Sequence, residues 1–109
     1  MRACFDVRDG RQAEFEDLAL ALAARAAEEA GTLTYRWFGS GGGSYVVIEQ
    51  YSDIAAALVH NQRSADLLGL VAQTADLVSA ELYGPLGPEL LSWASERPQV
   101  ATFPDFPPP

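Results

Sequence analysis

An α+β fold is predicted from the order of local signals along the chain. Residues 31–51, GTLTYRWFGSGGGSYVVIEQY, read as two β-strands joined by a glycine hairpin. An alanine- and leucine-rich helix precedes them, a second helical segment follows, and a short alternating strand lies near each end. The resulting β-α-β-β-α-β order is that of a ferredoxin-like module rather than a helix bundle or a β-sandwich.

The first strand is Arg2 to Val7, with Ala3, Phe5 and Val7 on one side and Arg2, Cys4 and Asp6 on the other. Asp9-Gly10 ends it. A helix is predicted over Arg11 to Ala30 from good helix formers, with Phe15, Leu18, Leu22 and Ala26 as its apolar stripe. Glu14, Glu16 and Asp17 suit the positive end of its dipole, whereas Glu28 and Glu29 sit at the unfavourable end. Gly31 fits a left-handed stop residue.

If Ser40-Gly-Gly-Gly43 forms the hairpin loop, Gly39 pairs with Ser44 and the register follows. Trp37, Tyr35 and Leu33 then share a helix-facing side with Val46, Ile48 and Gln50. Thr32, Thr34, Arg36 and Phe38 share the other with Tyr51, Glu49, Val47 and Tyr45. Neither side is polar enough to be simply solvated, so the second is expected to meet another subunit.

Ser52 is expected to cap the next helix, with Asp53 in its first turn. Ile54, Ala57, Leu58, Asn61, Ala65 and Leu68 follow helical spacing, and the polar run His60 to Ser64 breaks the segment in two, with Ser64 capping the second part. The last strand is Val78 to Tyr83, with Val78, Ala80 and Leu82 on one side; Gly84-Pro85 ends it. A short helix follows from Pro88 to Glu96. The domain is therefore residues 1–97. Residues 98–109 form a proline-rich tail that either docks its phenylalanines or stays mobile.

A chain of 109 residues has room for one modest core. Its formal charge of −8 disfavours nucleic acid and anionic membranes as partners. The absence of an apolar run of about 18 residues argues against a membrane span, no signal peptide is visible, and the expected location is cytoplasmic. The one cysteine rules out an intramolecular disulfide, and one histidine with one cysteine cannot supply a structural zinc site, so no metal is expected.

The segment Ala30-Gly-Thr-Leu-Thr-Tyr-Arg-Trp-Phe38, together with Ile48-Glu-Gln-Tyr-Ser-Asp53, Ala57 and His60, resembles the antibiotic biosynthesis monooxygenase-like proteins of the dimeric α+β barrel superfamily. The likeness covers roughly residues 1 to 84. Where members of that family often carry glutamate-proline-glycine-threonine before the second strand, this chain has Glu29-Ala-Gly-Thr32. The resemblance implies a homodimer whose sheets pack together, with a pocket between sheet and helices in each subunit. It also implies a small-molecule substrate and chemistry without a bound cofactor: oxidation of polycyclic phenols or cyclisation of polyketides. Some distant relatives degrade haem.

His60, the only histidine, is the group best suited to move a proton near neutral pH, and its place beside Asn61 matches a histidine common in that family. Asn61 falls on the apolar stripe, where its amide must find buried partners. Tyr35 and Trp37, on the helix-facing side, are placed to orient and to stack on a planar ring, or else to fill the core. Phe5 and Gln50 are further binding candidates. Arg36 is either an anion clamp or half of an ion pair with Glu49. Catalysis is thus expected from His60, Asn61 and Tyr35, with Trp37, Phe5, Gln50 and Arg36 binding substrate. Cys4 carries no activating motif, and Asp6 and Glu49 are single acid/base candidates only. The expected reaction is monooxygenation of a planar aromatic or polyketide-derived ring by dioxygen after deprotonation by His60 or by a water held on Asn61. A cofactor-free cyclase or isomerase, and a non-catalytic binding module, remain open alternatives, as does haem binding through His60.

Overall fold

A computed structural model describes residues 1–109. Strand β1 (Arg2–Val7) leads into helix α1 (Gln12–Ala27), which turns Phe15, Ala19, Leu22 and Ala26 inward along one helical face. Phe15 and Leu22 are fully buried, and each contributes about 1.5–3 kcal/mol relative to an exposed position. The helix stops short of the expected Ala30, and Gly31 is not left-handed. Gly31 is needed for a different reason: a Cβ there would lie 2.5 Å from Ala56 Cβ and 3.2 Å from Ser52 Oγ, so only glycine lets the next helix approach this closely.

Strands β2 (Thr32–Gly39) and β3 (Ser44–Tyr51) form the hairpin, but one residue out of the expected register. Gly39 pairs with Tyr45, Trp37 with Val47 and Tyr35 with Glu49. The loop is one residue tighter than expected. Ser40 N–H donates to Ser44 O at 2.9 Å, the Ser40 hydroxyl accepts from Gly42 N–H, and Gly41 and Gly43 take positive φ. Successive strand residues alternate faces, so this single step turns β3 over. Tyr45, Val47 and Glu49 face the helices with Tyr35 and Trp37, while Val46, Ile48 and Gln50 pass to the opposite face with Arg36 and Phe38. A register shift between Thr32 and Thr34 leaves Leu33 58% exposed rather than inward.

Helix α2 (Ile54–Arg63) is capped by Asp53, not Ser52; the Asp53 carboxylate accepts from Ala56 N–H at 2.8 Å. The expected break at Ser64 is present, and α3 (Ala65–Thr74) follows, although the Ser64 hydroxyl makes no cap bond. Strand β4 (Ala75–Tyr83) begins earlier than expected and bulges against β1, so that Leu77, not Val78, opposes Phe5. Val78 is left 47% exposed. Helix α4 (Gly87–Ser95), with proline in its first turn, leads to β5 (Val100–Phe103), where the proline-rich segment adds a strand parallel to β4.

The sheet order is β2-β3-β1-β4-β5, antiparallel except for the last pair. This is the ferredoxin-like arrangement with one strand added. Phe15, Leu22, Tyr45 and Val71 form the main core cluster, continued by Ala3, Val47 and Ala80 toward β5. Helix α4 begins beside α2, where a Cβ at Gly87 would lie 3.5 Å from Ile54. The opposite face, with Cys4, Arg36, Phe38, Val46 and Ile48, carries no helix. No helix is long and apolar enough to cross a membrane.

The close approach at Gly31 generates a direct test. Gly31→Ala is expected to lower unfolding stability in urea by roughly 1–3 kcal/mol through overpacking. In an Ala56→Gly background the same change should cost measurably less, because the colliding methyl is gone.

Candidate active site

A cleft of about 640 Å³ opens where the C-terminal ends of β3 and β4 meet α2 and the start of α4. Its apolar wall includes Ile54, Ala57, Leu82, Leu86 and Leu90, and its polar groups include Glu49, Tyr51 and Asn61. That volume lies within the range of sites for drug-sized ligands. Glu49 arrives there because the hairpin register turns it inward. Tyr51 follows two residues later on the same strand, and its hydroxyl donates to Glu49 Oε1.

Glu49 is 8% exposed. Burial raises its pKa above the ordinary glutamate value, although Tyr51, His60 and the Met1 amino group favour the charged form. The Tyr51 and Tyr35 hydroxyls are also pushed upward, first by burial and then by the negative charge of Glu49, so both keep their protons. A buried carboxylate of raised proton affinity beside a tyrosine O–H donor is equipped to accept a proton from a bound molecule and to return it.

Behind these groups lies a second buried pair. His60, 1% exposed, approaches Glu29 Oε1 through Nδ1 at 2.8 Å. Thr32 Oγ1 donates to the same oxygen at 2.8 Å, and Arg63 donates to Glu29 Oε2 at 3.0 Å. Burial opposes ionisation of Glu29, but the His60, Thr32 and Arg63 contacts outweigh it and hold its pKa below the ordinary value. Arg63 also resolves the electrostatic conflict of two acidic residues at the end of α1, since it pairs with Glu28 at 2.9 Å as well. The segment Glu29-Ala-Gly-Thr32 thus aims a carboxylate at the histidine, and Gly31 lets α2 bring that histidine within reach. The imidazole stacks at 5.1 Å from the Tyr35 ring and 5.7 Å from that of Tyr51.

The structure brings some of the expected residues together and separates others. Tyr35 faces the helices as expected and packs on His60. His60 lies behind the cleft, not on its wall, with Nδ1 on Glu29 and its ring 1% exposed. Asn61 is exposed rather than buried on the apolar stripe, and it does line the cleft. Gln50 also lines it, but from the opposite sheet face, with its amide oxygen accepting from Thr34 at 3.2 Å. Trp37 and Phe5 are partly buried in the aromatic core, 5.7 Å apart, and neither lines the cleft. Arg36 projects from the helix-free face over the Phe38 ring at 4.9 Å. Its expected ion pair with Glu49 does not exist, because the register step puts them on opposite faces. Tyr51, expected at an interface or rim, is half-buried against His60 and Glu49. No group of three or more His, Cys, Asp or Glu side chains is arranged to hold a metal ion.

Glu29 was missed as a site residue. A carboxylate at the unfavourable end of a helix was its one signal, since such a charge calls for a partner from elsewhere. Glu49 carried a clearer mark: it is the acidic residue in the otherwise apolar and aromatic run Tyr45-Val-Val-Ile-Glu-Gln-Tyr51.

A family model described as antibiotic biosynthesis monooxygenase matches residues 1–65. No curated protein is significantly similar to the chain in sequence. Among solved structures, MupZ from Pseudomonas fluorescens is 21% identical and superposes with a TM-score of 0.75 over 95% of this chain and 86% of its own. SnoaB from Streptomyces nogalater, a cofactor-independent oxygenase, is 21% identical, with a TM-score of 0.61 over 70% of this chain and 81% of its own. Rv0793 from Mycobacterium tuberculosis is 19% identical, with a TM-score of 0.62 over 80% and 93% of the two chains. At these identities the likeness establishes the fold.

The two buried carboxylates should leave opposite signatures in stability. Glu29, with its pKa depressed, contributes stability that is present above its ordinary value and lost as pH falls through the lowered one. Glu29→Ala should therefore cost roughly 3 kcal/mol near neutral pH, with the penalty shrinking in acid. Glu49, with its pKa raised, destabilises the fold progressively as pH rises above its ordinary value. The melting temperature of Glu49→Gln should accordingly climb relative to the parent protein as pH rises above the ordinary glutamate range. A constant offset would remove Glu49 as a buried titrating group.

Proposed function

Because the chain belongs to the antibiotic biosynthesis monooxygenase family, we propose that it is a cofactor-independent monooxygenase acting on a planar aromatic or polyketide-derived molecule bound in the cleft between α2 and α4. The observation that carries this reading is the meeting of an apolar cleft of about 640 Å³ with the buried Glu49–Tyr51 pair. The apolar walls take the ring system, and Asn61, at the rim, hydrogen-bonds its oxygens.

Glu49 removes a proton from an activated ring carbon or hydroxyl. Tyr51, which holds its own proton, donates to the carboxylate in the resting site and turns to developing negative charge on the substrate once Glu49 has taken up the proton. The substrate carbanion passes one electron to dioxygen, and the radical pair recombines to a hydroperoxide on the same carbon. Proton return from Glu49 and loss of water leave a carbonyl. A methylene and one dioxygen thereby become a carbonyl and one water. His60 and Glu29 act as the support that holds Tyr51 and Tyr35 in place. SnoaB, a cofactor-independent oxygenase of the same fold, supports chemistry of this class.

The helix-free face, with Phe38 45% exposed beside Val46 and Ile48, is assigned to a second copy of the chain. A monomer at micromolar concentration in light scattering would remove that assignment.

A cyclase or isomerase uses the same carboxyl without oxygen, so the decisive readout is oxygen uptake with hydroxylated tricyclic substrates. The parent protein is expected to consume one dioxygen per carbonyl formed. Glu49→Gln should lower kcat by about a hundredfold or more, and Tyr51→Phe by about tenfold, the worth of one charge-assisted hydrogen bond. Leu90→Trp, which narrows the cleft, should raise KM at unchanged fold. Product formed without oxygen uptake assigns the cleft to isomerisation, and full activity in Glu49→Gln removes the carboxyl from the mechanism.

A further inference from the structure

The cleft is joined to a second cavity by an unbroken series of aromatic rings. From Tyr51, at the cleft, the path runs to His60 at 5.7 Å and on to Tyr35 at 5.1 Å. Tyr35 lies 6.3 Å from Trp37, Trp37 is 5.5 Å from Phe15, and Phe15 is 4.7 Å from Tyr45. Trp37 and Tyr45 both line a groove of about 440 Å³ between α1 and the hairpin, on whose wall Glu16 and Leu20 also lie. Four of these residues, Tyr51, Tyr35, Trp37 and Tyr45, are readily oxidised by one electron.

The two ends are equipped for proton loss and the middle is not. Tyr51 donates to Glu49, and Tyr45 donates to the exposed Glu16 while accepting from Gln12 at 2.9 Å. Tyrosine is oxidised at accessible potential only when its phenolic proton has somewhere to go. Tyrosines with a carboxylate acceptor therefore stand at the start and the end of the path. Trp37, whose indole N–H is buried without a hydrogen-bond partner, can carry the charge as a radical cation that keeps its proton.

We propose that Tyr51, Trp37 and Tyr45 form a hole-transfer chain, bridged by the Tyr35 ring, that carries oxidising equivalents from the cleft to the groove beside Glu16. Its use rests on the dioxygen chemistry assigned to the cleft. When the radical pair fails to recombine, superoxide leaves and the substrate radical adds a second dioxygen; the resulting peroxyl radical takes one electron from Tyr51 and one proton from solvent and becomes a hydroperoxide. Tyr51 passes its proton to Glu49 for as long as the hole resides there. The hole passes across the Tyr35 ring to Trp37 and on to Tyr45, which gives its proton to Glu16 and remains as a neutral tyrosyl radical. Tyr51 then regains its electron and its proton. Glu16 releases its proton to solvent, and a small thiol entering the groove donates a hydrogen atom to Tyr45 and leaves as a thiyl radical, which restores the resting protein.

Flash photolysis tests the chain without substrate or dioxygen turnover. A Cys4→Ser, Asn61→Cys protein is labelled at position 61 with a ruthenium tris-bipyridyl photosensitiser and oxidised with persulfate as quencher. Transient absorption and electron paramagnetic resonance should show a tyrosyl radical that disappears in Tyr45→Phe. Trp37→Phe should abolish most of its yield, and Trp37→Tyr should not restore it, because a phenol there has no proton acceptor. A radical that remains on Tyr51, or a Tyr45 radical formed equally well in Trp37→Phe, overturns the proposal. Tyr45→Phe removes only a hydroxyl, so it keeps the test decisive if the Trp37 variants fold poorly. The readout is independent of oxygen uptake. A positive flash result with no oxygen consumption keeps the chain and removes the reaction assigned to the cleft; the reverse result keeps the reaction and removes the chain.

Discussion

The buried contact between His60 and Glu29 is the constraint around which the rest of the molecule is arranged. It joins the end of α1 to the last turns of α2, and Thr32 ties it to the first residue of β2. Burying a carboxylate is costly unless its oxygens are fully engaged. Here one oxygen accepts from Thr32 and meets His60, and the other accepts from Arg63. Because Thr32 comes from β2 and His60 and Arg63 from α2, while Glu29 follows α1, the contact is satisfied only when all three elements are in place. That makes it a source of specificity as much as of stability. It also explains the need for glycine at position 31, where α2 closes on the chain entering β2.

The position of α2 in turn determines the chemistry at the cleft. Its residues Ile54, Ala57 and Asn61 provide one side, and the α4 segment, with Leu86 and Leu90, provides the other. Between them β3 presents Glu49 in surroundings apolar enough to raise its proton affinity. A carboxyl in that setting destabilises the fold when ionised, and the Tyr51 hydrogen bond only partly offsets the effect. Such a group, at the floor of an open cleft, is better explained by work on a ligand than by packing.

The aromatic interior serves two needs with one set of side chains. Phe5, Phe15, Trp37 and Tyr45 fill the space between α1 and the sheet. A small domain gains most of its apolar burial from large rings of this kind. Continuous ring contact is also what charge transfer requires, so the packing that stabilises the domain creates a path between its two cavities.

The element order, the inward stripe of α1, the break at Ser64 and the inward placing of Tyr35 and Trp37 were legible in the chain, because they depend on periodicity and propensity within short stretches. So was His60 as a residue of interest. The pairing across the hairpin was not legible. Its register depends on whether Ser40 belongs to the loop or to the strand, a choice made by hydrogen bonds to Ser44 and Gly42. That one step moved Glu49 from the outer face to the cleft and carried Gln50 away from the helices. The pairing of Glu29 with His60, across 31 residues, and the closing of the cleft by α4 are long-range contacts with no periodic trace. By itself the sequence determined the helices and the first four strands, though not β5 within the expected tail, and which family the chain resembles. Only the tertiary structure decided which carboxylate meets the cleft, because strand faces alternate residue by residue and a single step in register exchanges them.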